Sequence, residues 1–201
     1  MFIHKFIAGS APYTVLLLHG TGGDEADLVP IGKSLAAGAN LLSPRGKVSE
    51  NGANRFFRRL AHGVFDPEEI QRSAAELAEF IAESAKQYHF DASKVYALGY
   101  SNGANIAQAL MLLDPEVLAG GVLLRPMPVI EPVGTPDLNG KPVLIIAGED
   151  DELTTPELTH QLASTLTHAN AKVDVKWLAA GHGLTPYDFQ VVQAFFKGLS
   201  S

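Results

Sequence analysis

The chain has 201 residues, of which 46% are hydrophobic and 18% are charged, a composition typical of a globular protein rather than a disordered one. A formal net charge of −7 argues against nucleic acid and anionic membrane surfaces as partners, and the absence of cysteine excludes disulfides, thiolate metal sites and a cysteine nucleophile. We therefore expect a single domain, residues 1–201, that binds neither nucleic acid nor a membrane.

The predicted elements alternate between short strands and helices along the chain. Apolar, β-rich runs predict seven strands, at residues 2–7, 14–18, 40–42, 95–98, 118–124, 143–147 and 173–178. Helical patterns lie between most of these runs, at residues 28–37, 66–88, 104–113, 156–168 and 187–199.

The helix that begins after Asp66 carries the clearest start signal. Pro67 occupies its first position, and Glu69 lies three residues after the Asp66 cap, which is the spacing of a capping box. We therefore expect both carboxylates to hold free amides of the first helical turn.

The order of elements predicts the fold class. Strands that alternate with helices are typical of a mostly parallel sheet covered by helices on both faces. The continuous apolar run at 143–147 fits a strand buried on both faces, whereas the alternating pattern at 173–178 fits a half-exposed strand near the sheet edge. We therefore predict an α/β fold with a mostly parallel central sheet.

Residues 99–103 read Gly-Tyr-Ser-Asn-Gly, a G-x-S-x-G pattern between a predicted strand and a predicted helix. A serine on such a sharp turn exposes its hydroxyl above the sheet edge, and the first amides of the helix point at a developing oxyanion. Ser101 is therefore the candidate nucleophile. The alternative is a serine that only caps the helix, and the pattern alone is weak evidence in a chain with 19 glycines.

Other predicted strands end at the same edge of the sheet, because parallel strands place their carboxyl ends together. His182 follows the last strand between two glycines and is the candidate general base, while Asp151 follows the preceding strand and is the candidate acid that orients it. Asp150 and Asp137 remain alternatives for the acid. The chain order of serine, acid and histidine is that of α/β-hydrolases.

Two backbone amides are candidates for the oxyanion hole, those of Thr21 and Asn102, and glycines around Thr21 permit the tight path that such a loop needs. His19 precedes Ser101 in the chain, so we expect it to hydrogen-bond backbone groups and shape this loop rather than act as the base. The remaining histidines are expected to have no catalytic part: His4, His62, His89, His160 and His168.

Hydrophobic residues border the predicted site and allow an apolar acyl group, without indicating its length: Phe56, Phe57, Met127 and Leu184. The two phenylalanines lie within a basic cluster, Arg55, Arg58 and Arg59. Such clusters are usually solvated loop surface with the aromatic rings folded inward. The alternative is that both rings wall the acyl or alcohol pocket.

Several longer stretches resemble the phospholipase/carboxylesterase family of small serine hydrolases: LLLHGTGGDEADLVPIG, SPRGKVSENGANRFFRRLAHGVFD, GYSNGANIA, LLRPMP and GHGLT. The resemblance implies a capless α/β-hydrolase fold with esterase activity on short or medium acyl chains, or thioesterase activity as in the acyl-protein thioesterases. It also implies Ser101, Asp151 and His182 as catalytic residues and the amides of Thr21 and Asn102 as the oxyanion hole. Glu152 departs from the family pattern, which has proline after the acid.

The expected activity is hydrolysis of a small-molecule carboxylic ester through an acyl-enzyme, without a metal or a cofactor. Thioesters or lysophospholipids are the runner-up substrates, and a hydrolase fold that binds a ligand without turnover is the alternative from another class. No segment has the apolar length of a membrane helix, and residues 1–10 have no long apolar core, so we expect a cytoplasmic protein. A homodimer is the expected assembly if the chain associates.

Overall fold

The structure, a computed structural model, describes residues 2–61, 63–132 and 134–199, so His62 lies outside the described residues. The strands are β1 (His4–Ile7), β2 (Thr14–Leu18), β3 (Asn40–Pro44), β4 (Val48–Glu50), β5 (Ala53–Arg55), β6 (Arg59–Ala61), β7 (Val64–Phe65), β8 (Val95–Tyr100), β9 (Gly120–Leu124), β10 (Pro142–Gly148) and β11 (Lys172–Leu178). The helices are α1 (Val29–Leu35), α2 (Pro67–Tyr88), α3 (Asn102–Leu113), α4 (Pro156–His168) and α5 (Pro186–Leu199), with a 3₁₀ turn at Ala92–Lys94.

Seven strands form the main sheet in the order β1-β3-β2-β8-β9-β10-β11. The β1–β3 pair is antiparallel and the other five pairs are parallel. These are the seven strands that the sequence predicts, with ends that shift by up to two residues. β11 lies at the edge of the sheet, as its alternating pattern predicts.

The sheet divides the core into two layers. Along β2 the side chains alternate, so Leu16 and Leu18 pack on one side while Val15 and Leu17 pack on the other. Helices α2, α3 and α4 cover the first face, and α1 and α5 cover the second. All five residues of β2 are buried, because helices cover both faces of a parallel sheet. The α/β-hydrolase arrangement of a mostly parallel sheet between helices is confirmed.

The long segment between β3 and α2 forms two small antiparallel sheets, β4–β5 and β6–β7. The sequence offers no clear strand signal there, because strands of two or three residues are too short to show a period. This segment lies beside the carboxyl end of the main sheet and supplies part of the pocket described below.

The predicted start of α2 is confirmed in part. Oδ1 of Asp66 accepts a hydrogen bond from the Glu68 N–H at 3.0 Å, as expected of an N-cap. The capping box does not form, because the Glu69 carboxylate instead accepts the N–H of Arg58 at 2.7 Å. The first turn of α2 is thereby tied to the segment that leads into β6.

Between β9 and β10 the described residues, 125–132 and 134–141, contain no helix. No helical cap therefore stands over the strand ends in the part of the chain that the structure describes. Across residues 2–61, 63–132 and 134–199, no helix combines the length and the apolar character needed to cross a bilayer.

Candidate active site

The loops that follow four parallel strands meet at one edge of the main sheet. They follow β2, β8, β10 and β11, and they carry the candidate residues of the sequence analysis. This is the edge at which open α/β sheets build their sites, because the carboxyl ends of parallel strands point the same way.

Ser101 lies in a sharp turn between β8 and α3. Its φ of +51° falls in a left-handed region that residues other than glycine rarely adopt. Its N–H donates to the Leu124 carbonyl on β9 at 2.9 Å. A Cβ at Gly103 would collide with the Leu18 carbonyl oxygen, and one at Gly99 would lie 2.6 Å from the Gly103 carbonyl oxygen. Both glycines of the motif are therefore required by close backbone packing around the strained serine.

Ser101, His182 and Asp151 form a continuous chain of hydrogen bonds. Nε2 of His182 lies 3.0 Å from Oγ of Ser101, and Nδ1 of His182 lies 2.8 Å from Oδ2 of Asp151. A carboxylate can only accept, so Nδ1 carries the proton and Nε2 is free to accept the serine proton. The other oxygen of Asp151 accepts the N–H groups of Leu153 and Thr154, at 2.9 and 3.0 Å, which fixes the carboxylate.

The two alternative acids do not contact the imidazole. Asp150 is exposed on the same loop, and its amide donates to the Ala180 carbonyl. Asp137 is exposed and accepts the Asn139 N–H and an Asn170 side-chain N–H, and these hydrogen bonds lower its pKa. Asp151, by contrast, is 4% exposed and lies against His182.

Thr21 and Asn102, whose backbone amides are the predicted oxyanion hole, both line the same pocket. Asn102 is the first residue of α3, so its N–H has no partner inside the helix and lies at the positive end of the helix dipole. The Thr21 hydroxyl accepts a hydrogen bond from Nη1 of Arg55 at 2.6 Å. The Asn102 side chain accepts the Phe56 N–H at 2.7 Å. Both side chains thus hold the segment around β5.

His19 is 1% exposed and is used for structure. Its Nε2 accepts the Gly46 N–H at 2.9 Å, and its Nδ1 lies 2.7 Å from the Gly20 carbonyl oxygen, to which it must donate. Burial lowers the pKa of His19, which favours this neutral form. The prediction that His19 shapes the loop after β2 is confirmed.

A pocket of about 240 Å³ opens beside Ser101. Met127 lines it, as predicted. Its wall combines polar and apolar groups, and it is lined by Thr21, Arg55, Arg59, Gly63, Phe65, Tyr100, Ser101, Asn102, Asn105, Met127, Leu153 and His182.

Three of the four hydrophobic residues predicted to border the pocket do not line it. Phe56 and Phe57 are 4% and 0% exposed and belong to the core, where the Phe57 ring packs edge-on against Phe65 at 5.4 Å. Phe65 lines the pocket instead. Leu184 packs against the core layer under α5. Burial in the core removes more apolar area from water than an open pocket wall does, so the inward reading of the two rings is correct.

The structure also adds polar residues that the sequence analysis missed. Arg55 is not solvated surface but a buried wall of the pocket, with its Nε 3.4 Å from Glu50. Asn105 lies on the pocket side of α3 and accepts the Met127 N–H at 2.9 Å. Its position three residues after Asn102 could have indicated this, because residues three apart share a helix face.

Comparisons with known proteins show the family of the chain. The family model of the dienelactone hydrolase family matches residues 45–191. The chain is 41% identical over 194 residues to MhqD of Bacillus subtilis (strain 168), whose name classes it as a hydrolase, and the match covers 96% of this chain and 97% of MhqD.

The chain is also similar to solved structures. A carboxylesterase of Bacillus cereus superposes with a TM-score of 0.96 at 41% identity, covering 98% of this chain and 94% of the carboxylesterase. YahD, solved with malic acid, superposes with a TM-score of 0.94 at 27% identity over the full length of both chains. The resemblance to small α/β-hydrolase esterases is confirmed. The chain is a hydrolase that belongs to the dienelactone hydrolase family.

Proposed function

We propose that this hydrolase is a serine carboxylesterase that cleaves small acyl esters through an acyl-enzyme on Ser101. One observation carries the proposal, the chain of hydrogen bonds from Ser101 through His182 to Asp151, at 3.0 and 2.8 Å. A serine hydroxyl needs a base within hydrogen-bond reach to become a nucleophile, and the base needs a partner that fixes its tautomer.

In the first half-reaction, Oγ of Ser101 attacks the ester carbonyl carbon while Nε2 of His182 takes the hydroxyl proton. The amides of Thr21 and Asn102 donate to the oxyanion of the tetrahedral intermediate. His182 then gives its proton to the leaving alcohol oxygen as the carbon–oxygen bond breaks, which leaves the acyl group on Ser101.

In the second half-reaction, His182 takes a proton from water, and the hydroxide attacks the acyl carbon. The carboxylic acid leaves as Ser101 recovers its proton from His182. Throughout both halves the Asp151 carboxylate holds Nδ1–H and stabilises the charged imidazolium.

The test of the nucleophile is Ser101→Ala. We expect its kcat/KM for 4-nitrophenyl acetate to fall about 10⁴-fold or more, because every covalent step is lost. A fluorophosphonate reagent should label the unchanged protein once, at Ser101, and should leave Ser101→Ala unlabelled. The matched control is Ser164→Ala, which removes an exposed hydroxyl on α4. Full activity of Ser101→Ala would end the assignment.

Thioesters and lysophospholipids remain the alternative substrates, and a fold that binds a ligand without turnover remains the alternative from another class. A series of 4-nitrophenyl esters of increasing acyl-chain length separates short acyl esters from the long acyl chains of lysophospholipids. A pocket of about 240 Å³ favours short acyl groups, because it is smaller than the range of about 300–1,000 Å³ that most ligand pockets span. Absence of an acyl-enzyme burst with every ester would favour the binding alternative.

We further propose that the acyl group carries a carboxylate. Arg55 and Arg59 line the pocket, and the described residues that line it include no carboxylate side chain, although the whole chain carries a net charge of −7. Glu50 pairs with both guanidinium groups, so the three side chains together keep one positive charge. Burial lowers the pKa of Arg55, and a substrate anion would compensate its charge. YahD was solved with malic acid, a dicarboxylic acid.

The test compares 4-nitrophenyl hemisuccinate with neutral 4-nitrophenyl butyrate, which has the same number of acyl carbons. We expect the hemisuccinate to have the higher kcat/KM, and Arg59→Gln to reduce this preference about tenfold, the equivalent of roughly 1.4 kcal/mol for one charge-assisted contact. Arg58→Gln is the matched control, because this neighbouring side chain does not line the pocket. If Arg59→Gln lowered kcat/KM equally for both esters, the proposed preference for a carboxylate would be wrong, and the proposed ester hydrolysis would still stand.

A further inference from the structure

A buried arginine contacts the loop that carries His182. Arg125 directly follows β9, is 1% exposed, and has a φ of +52°, the left-handed region that favours glycine. Its Nε donates to the Gly181 carbonyl at 2.9 Å, and its Nη2 donates to the Gly183 carbonyl at 3.2 Å. One guanidinium group therefore holds the two peptide carbonyls on either side of His182.

The charge of Arg125 is matched inside the core. Nη1 and Nη2 donate to the two carboxylate oxygens of Asp188, at 2.7 and 3.1 Å, and both side chains are 0% exposed. The Asp188 carboxylate also accepts the N–H and the hydroxyl of Thr185, at 2.7 and 2.9 Å. The two-pronged pairing fixes the orientation of the guanidinium plane, as bidentate arginine–carboxylate pairs do.

Tyr100 holds the carbonyl of His182, which lies between those of Gly181 and Gly183. Its hydroxyl donates to the His182 carbonyl at 3.1 Å, and its ring lies 5.6 Å from the imidazole. Three consecutive carbonyls, at Gly181, His182 and Gly183, are thus bound by side chains from the ends of β8 and β9. Residues 179–185 have no regular secondary structure. These three carbonyls are therefore bound by side chains and not by the backbone amides of a neighbouring strand.

We propose that Arg125, with Asp188 as its counter-charge, is a positioning residue that sets the His182 imidazole between Ser101 and Asp151. The inference rests on the proposed serine mechanism and deepens it. Arg125 does not touch the substrate; it acts through the backbone of the His182 loop. Proton transfer requires both ends of the imidazole within hydrogen-bond distance, and a displacement of about 1 Å is enough to cost roughly 10²-fold in rate.

The experiment replaces Arg125 with glycine, which accepts the positive φ at this position. We expect Arg125→Gly to fold, as judged by circular dichroism and thermal unfolding, and its kcat for 4-nitrophenyl acetate to fall about 10²-fold with little change in KM. In proton NMR, the Nδ1–H resonance of His182 should weaken or move. Arg72→Met, which removes an exposed guanidinium from α2, is the control and should change neither quantity.

Chemical rescue distinguishes positioning from a general structural role. N-ethylguanidinium, added well below denaturing concentration, should bind beside Asp188 in Arg125→Gly and restore both kcat and the Nδ1–H resonance, whereas ethylammonium should not. If Arg125→Gly does not fold, Arg125→Lys supplies the test, because it keeps a cation beside Asp188 but loses the guanidinium fork that binds the Gly181 and Gly183 carbonyls, and it should lower kcat with the fold intact.

The outcomes separate this inference from the proposed function. A folded Arg125→Gly with unchanged kcat, or a folded Arg125→Lys with unchanged kcat where the glycine variant does not fold, would overturn the positioning role while an inactive Ser101→Ala upheld the esterase. A loss of kcat that N-ethylguanidinium does not restore would also overturn it. An active Ser101→Ala would remove the mechanism on which both proposals stand.

Discussion

At the scale of single residues, His19 is a buried imidazole with a structural and not a catalytic role. Its two nitrogens are occupied by the Gly20 carbonyl and the Gly46 N–H, so it has no lone pair left for a substrate proton. His182 has one nitrogen on Asp151 and the other on Ser101, beside the pocket. The role of each imidazole therefore depends on which groups the fold places beside its two ring nitrogens.

His19 also gives a prediction about pH and stability. Burial lowers its pKa below the ordinary value of 6.5, so the unfolded chain binds a proton more readily than the folded one between the two pKa values. Its stabilising contribution is complete above pH 6.5 and is lost as the pH falls toward the folded pKa. The free energy of unfolding should drop by at most about 1.4 kcal/mol per pH unit from this group.

The measurement is urea unfolding between pH 7 and pH 5 for the unchanged protein, His19→Gln and His89→Asn. His19→Gln should be less stable at pH 7 and should lose less stability on acidification. His89→Asn removes an exposed imidazole at the end of α2 and should follow the slope of the unchanged protein. A slope in His19→Gln as steep as in the unchanged protein would contradict the assignment.

At the scale of elements, the start of α2 stabilises a helix and ties it to the site. The Asp66 cap satisfies one free amide of the first turn, while Glu69 reaches out to the Arg58 backbone. Arg58 lies directly before Arg59, whose side chain lines the pocket. The first turn of α2 thus anchors the chain just outside the pocket.

Asp66→Ala should lower the free energy of unfolding by about 1 kcal/mol, because it leaves a first-turn amide without its acceptor. Urea unfolding measures this change. Asp66→Ser, which can also cap a helix, should restore most of the stability, and kcat/KM should be unchanged in both variants because the Glu69 contact to Arg58 remains. An Asp66→Ala protein as stable as the parent would show that the cap contributes nothing measurable.

At the scale of the whole molecule, a parallel sheet collects distant parts of the chain at one edge. Ser101 and His182 are 81 residues apart in sequence and Asp151 and His182 are 31 apart, yet each pair lies within hydrogen-bond distance. Each loop starts from a strand of the main sheet and is held by hydrogen bonds to its neighbours. The Arg125–Asp188 pair, which joins the end of β9 to α5 across 63 residues, is part of the same bracing.

The sequence by itself determined the local elements and which segments form the strands of the main sheet. Apolar runs indicated all seven of its strands, and the G-x-S-x-G pattern located the strained serine, because both signals depend on residues close together in the chain. The boundaries of α4 and β2 also follow from local pattern alone.

Only the tertiary structure decided which side chains meet. Asp150 and Asp151 are equivalent by pattern, and the path of the loop after β10 buries one and exposes the other. Arg55 looks like surface in the sequence and is a buried pocket wall, because Glu50 and Thr21 supply partners that allow a guanidinium to leave water. Arg125 and Asp188 carry no local signal, since a buried ion pair depends on contacts between residues far apart in the chain.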